Sequence, residues 1–200
     1  DLAAAGDLTQ TADGITGGLN ATVNNGVITL DQESNDIDEI TGITITTATG
    51  ASTITTKDAG TGGTGDLQVT GSINTATGAL TIDVGTGRFT KNDGVTITNS
   101  GGLTVTADTV ELGTNTGEDE IAITGAVVIE PSTDSQTISI AGGSVGAFEI
   151  GVDEIEVING AIATSVRFGL LDGTGDVDVG AKEFDFAALT IIGGNIDVEG

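Results

Sequence analysis

The sequence predicts an all-β chain: a parallel β-solenoid of short strands with Gly/Asn corners, with a β-sandwich fibre subunit as the alternative. Three observations predict it. Short runs alternate strictly between apolar and polar residues, Gly or Asn punctuates the runs, and the composition is rich in branched aliphatics, threonine and glycine. Only five phenylalanines supply aromatic bulk.

The alternation comes first. Gly42-Ile43-Thr44-Ile45-Thr46 sets two isoleucines on one side of a strand and two threonines on the other. Leu80-Thr81-Ile82-Asp83-Val84, Leu103-Thr104-Val105-Thr106, Ile121-Ala122-Ile123, Ile138-Ser139-Ile140 and Val177-Asp178-Val179 repeat it. A period of two marks a strand with one buried face. The expected inward positions are Ile43, Ile45, Leu80, Ile82, Leu103, Val105, Ile121, Ile123, Ile138, Ile140, Val177 and Val179, and the residue after each is expected to face out.

The punctuation comes second. Asn24-Asn25-Gly26, Asn92-Asp93-Gly94, Gly101-Gly102, Gly142-Gly143 and Gly193-Gly194 are turn signals. They recur too often for long sandwich strands. The phrase that opens at Gly78 returns at Gly102, about 24 residues on, which is the length of a solenoid coil. No segment shows a helical period with caps, so essentially no helix is expected. At roughly 20 residues per coil, the chain makes about ten coils and a rod near 45 Å long.

Composition comes third. Val, Ile and Thr favour pleated, half-buried surfaces, and Gly permits positive φ at corners. The hydrophobic fraction of 37% is too high for a disordered acidic chain. Residues 1–200 read as one solenoid segment of a longer chain or polymer, with a wider zone over 144–200 where Phe148, Phe168, Phe184 and Phe186 gather. Neither end reads as a cap.

Charge and residue types exclude function classes. Thirty acidic residues face five basic ones, for a net charge of -25. Lys57, Arg88, Lys91, Arg167 and Lys182 form no basic patch, which speaks against nucleic acid, whose affinity comes from phosphate neutralisation. No apolar run has the length of a membrane-spanning helix. Histidine and cysteine are absent, which removes the usual base and thiolate chemistry. Paired carboxylates leave a carbohydrate-active β-helix as an alternative, but non-catalytic is the expectation.

Calcium is the one cofactor the residues suggest, because it takes several carboxylate and carbonyl oxygens. Asp172, Asp176 and Asp178 are the candidate ligands, the last two at strand spacing and the first across a glycine turn. Further acidic groups lie at Glu33-Asp36-Asp38-Glu39, Glu118-Asp119-Glu120 and Asp153-Glu154-Glu156. A calcium-binding surface-layer or adhesin module is therefore a second functional reading. The pairs Thr44/Thr46, Thr53/Thr55, Thr96/Thr98 and Thr104/Thr106 invite an ice-binding reading, but their uneven spacing predicts that they do not stack.

Gly101-Gly102-Leu103-Thr104-Val105-Thr106-Ala107-Asp108-Thr109-Val110-Glu111-Leu112-Gly113 and Leu171-Asp172-Gly173-Thr174-Gly175-Asp176-Val177-Asp178-Val179-Gly180-Ala181 resemble the filamentous-haemagglutinin-type and related β-strand-repeat exoproteins. The resemblance is compositional and covers most of the chain. It implies a long right-handed β-helix, secreted and held at the cell surface, with a role in adhesion. The expected function is a structural extracellular fibre, sheath or adhesin segment. Its expected partners are further copies end to end, or the continuation of a longer chain, and surface polysaccharide.

Overall fold

The computed structural model describes residues 1–11, 14–57, 66–114, 120–142, 148–158 and 162–199. Strands hold 51% of the chain and helix 3%, and one long parallel sheet curls through 260°. This is the architecture of a parallel β-solenoid.

Parallel pairing stacks each coil on the one before, and the register defines three faces. On the first face Leu2, Ala21, Ile43, Ile73, Ile97 and Ile121 follow one another as direct partners. Eight rungs of the second face run through Thr9, Thr29, Thr53, Thr81, Thr104, Val128, Arg167 and Thr190. On the third face Leu19, Ile40, Val69 and Lys91 are successive partners. That face continues beyond Val110 as a separate four-stranded sheet.

The phrases that open at Gly78 and Gly102 are rung neighbours: Leu80, Thr81, Ile82 and Asp83 pair with Leu103, Thr104, Val105 and Thr106. Differences in residue number along the second face give coils of 20, 24, 28, 23, 24, 39 and 23 residues. The mean exceeds 20, so the chain makes eight rungs rather than ten. Seven steps of about 4.8 Å give a rod of about 34 Å.

The core is one apolar column. All twelve residues expected to point inward are buried. Burying a Val, Leu or Ile side chain stabilises by roughly 1.5–3 kcal/mol, and a coil gains this only when its neighbours cover it. Ala141, Gly180 and Ser139 depart from the outward expectation, Ser139 most fully. This serine lies in register between Glu149 and Asp178 and is fully buried, and its hydroxyl has no hydrogen-bond partner.

One corner shows why glycine recurs. Gly78, Gly101 and Gly125 sit above one another at the turn between the first and second faces. A Cβ on Gly101 would lie 2.4 Å from the Ala79 nitrogen, and one on Gly125 would lie 2.6 Å from the Gly101 carbonyl carbon. The backbones touch here, and only glycine fits. At the same corner Asn99 closes a buried amide clip on Gly102, accepting its N–H at 2.9 Å and donating to its carbonyl at 3.0 Å.

The longest coil holds the main irregularity. Strand Phe148–Ile150 is inserted beside strand Ile138–Ile140, in parallel, on the edge opposite Val177–Val179. Helix Val152–Val157 follows, and Ile158 then rejoins the first face beside Ile121. This six-residue helix is a small exception in a chain expected to hold essentially no helix. Its determinant is local: Gly151 donates its N–H to Glu154 Oε2 at 2.7 Å, closing the first turn.

Candidate functional site

The functional candidates are acidic side chains, and much of this acidity is structural. At the corners, where ladder pairing lapses, an aspartate accepts a backbone N–H from the following coil. Asp7 takes Val27 at 3.1 Å, Asp66 takes Arg88 at 2.9 Å and Asp93 takes Thr114 at 2.7 Å. Asp108 Oδ1 accepts from Ser132 at 2.9 Å and Thr133 at 3.0 Å, and its Oδ2 accepts the Thr133 hydroxyl at 2.7 Å. Each bond satisfies a group that would otherwise lack a partner. Residue patterns had pointed to clusters, whereas the recurring feature is a single aspartate about one coil before its donor.

Asp176 belongs to this set. It accepts the Asn195 backbone N–H at 3.2 Å and its side-chain amide at 2.8 Å. Asp178 is half-buried on the outward side of strand Val177–Val179, in register with Ser139 and Asp197. Asp172 is exposed in the preceding turn. Among the described residues no three carboxylates stand close enough together to hold a metal ion. Glu118 and Asp119 lie outside the described residues.

All five basic residues are paired. Lys57 meets Asp83 at 2.7 Å, Arg88 meets Glu111 at 3.3 Å, Arg167 meets Glu130 at 2.7 Å and Lys182 meets Glu156 at 2.5 Å. The fifth, Lys91 with Glu120, is fully buried on both sides. Glu120 Oε1 also accepts the Gly94 N–H at 2.8 Å, which ties the corner at Gly94 to the same carboxylate.

Two adjoining depressions of about 440 Å³ each flank the strand end at Glu111. Thr90, Asn92 and Asp93 line one, Val152, Asp153 and Glu154 line the other, and both share Glu111 and Gly113. Their carboxylates are largely committed: Asp93 to Thr114, Glu111 to Arg88, and Glu154 to two backbone donors. Burial raises the Glu154 carboxyl above its ordinary pKa of 4.5, and the charges of Glu149 and Glu111 add to that. The N–H groups of Gly151 and Leu112 pull the other way. Neither lining includes an aromatic ring to seat a sugar.

The threonine pairs are redistributed by the fold. Thr44 lies on the first face and pairs with Thr22 and Asn74. Thr53 and Thr104 lie on the second face with Thr81 between them, and Thr55 and Thr106 flank Asp83. The pairs as such do not stack, as expected, because they divide between two faces and Asn74 and Asp83 interrupt their columns; single threonines nonetheless keep one register on the second face across coils of unequal length. The chain matches no protein-family model, no curated protein and no solved structure.

Proposed function

We propose that this chain is a structural segment of an extracellular rod, a sheath or adhesin stalk at the cell surface that is extended by further coils. The supporting observation is the stack itself. Eight rungs of the second face keep one register over a continuous apolar column, and each coil buries its apolar residues only against its neighbours, so the architecture grows by adding rungs. Ile196 and Val198 hold inward positions of that column, in register with buried Val177 and Val179, and are the residues a further rung would contact. The resemblance to β-strand-repeat exoproteins supports the cell-surface location.

The role is mechanical and non-catalytic on this reading. Sedimentation of the purified chain tests it. Wild type is expected to form end-to-end oligomers, and Ile196→Asp with Val198→Asp is expected to shift the distribution to monomer. Monomeric wild type, or oligomers that persist in the double variant, would contradict it.

A further inference from the structure

Thr9, Thr29, Thr53, Thr81 and Thr104 occupy five successive rungs of the second face as direct partners. With rungs about 4.8 Å apart, they make a straight row about 19 Å long. Threonine is stiff at χ1, so the row repeats a hydroxyl and a methyl with little freedom. The first face carries no such run, because Asn74 interrupts it after Thr22 and Thr44.

Some threonine hydroxyls of the chain are committed to protein acceptors. Those of Thr56, Thr70, Thr75 and Thr106 donate to protein acceptors. Among the described residues, none of the five in the row bonds to another protein group. Thr55 sits beside the row by strand alternation and is only 6% exposed; its carbonyl accepts from the Asn35 amide at 3.0 Å. The charge next to it is neutralised, since Asp83 pairs with Lys57 at 2.7 Å and accepts the Gly85 N–H at 3.0 Å.

We propose that this row is a binding surface for ordered water, specifically the face of an ice crystal. A ligand that engages the whole row must be flat, neutral and periodic at the rung spacing. An ice plane has those properties: its waters are held by the hydroxyls and caged over the methyls. A flat crystalline polysaccharide is disfavoured because its sugars stack on aromatic rings. Phe89, Phe148 and Phe168 are fully buried, and Phe184 and Phe186 pack against the core. The inference stands apart from end-to-end assembly, since the row lies along the side of the rod.

The test is ice shaping and thermal hysteresis on the purified chain, with microcrystalline cellulose and chitin as parallel binding arms. Wild type is expected to facet ice crystals and to open a gap between melting and freezing. Thr81→Tyr, at the fourth position of the row, is expected to abolish both, and Thr44→Tyr on the first face is expected to retain them. Circular dichroism checks the β-signal of each variant, and Thr53→Tyr replaces the first if it fails to fold. Round crystals with no gap in wild type would overturn the proposal. So would a folded row variant that retains activity, an equal loss in Thr44→Tyr, or polysaccharide binding without ice shaping.

Discussion

Lys91 and Glu120 form an ion pair inside the solenoid, 29 residues apart in sequence, with both side chains completely buried. Lys91 also donates to the Asn92 carbonyl at 3.0 Å. Removing one partner leaves the other charge desolvated, so Lys91→Met is expected to cost about 3–5 kcal/mol. The double variant Lys91→Met with Glu120→Met is expected to regain most of that loss. Urea unfolding of the two singles and the double checks the coupling, and strictly additive losses would refute it.

Gly101→Ala tests the corner where coils touch. The added methyl would meet backbone atoms of Gly78 and Ala79 within 2.5 Å, and backbone cannot swing aside. A loss of at least about 1–3 kcal/mol in thermal or urea unfolding is expected. Gly94→Ala is the contrasting case, with open space for a Cβ but a φ of +72°. Its loss comes from left-handed strain alone, about 1–2 kcal/mol.

Asp108→Ala tests the corner aspartates. It strands the N–H groups of Ser132 and Thr133, at about 1–3 kcal/mol for a buried donor left unpaired and less where water reaches it. Hydrogen exchange is expected to quicken at Ser132 and Thr133 while strand Leu103–Glu111 keeps its protection. Uniform loss of protection along the rod would argue against a local connector.

Glu154 gives a pH signature. Its folded carboxyl holds its proton more tightly than the ordinary value of 4.5. Stability from this group is therefore complete below pH 4.5 and is lost as pH rises through the elevated folded pKa. The difference in Tm between wild type and Glu154→Gln is expected to move in favour of wild type on acidification from neutral pH. Subtracting the variant removes the relief of general repulsion that every acidic residue contributes. A difference that stays constant across that range would contradict the assignment.

Much of the fold was legible in the sequence, and the reason is physical. A period-two pattern in Leu80–Val84 and Leu103–Thr106 dictates strand type and facing, because a slip of one residue would expose every apolar side chain. Coil length was less legible. Thr53 and Thr81 are rung partners 28 residues apart, and pairing of Val128 with Arg167 skips the inserted strand and helix. An excursion between rungs leaves no mark on the alternation, so spacing concealed the threonine row. The buried pair was hidden for another reason: Lys91 continues an alternating strand at an inward position, and its partner comes from a different coil. Acidic composition pointed to clusters, but composition carries no information on which carboxylates receive backbone N–H groups one coil away.

Electron cryo-microscopy of the assembled protein tests the central claim most directly. The account predicts rods longer than the eight rungs of one chain, with strands across the rod axis, a layer spacing of about 4.8 Å, and Ile196 and Val198 covered by a following rung. Monodisperse 19.7 kDa particles with Ile196 and Val198 left open to solvent would contradict it.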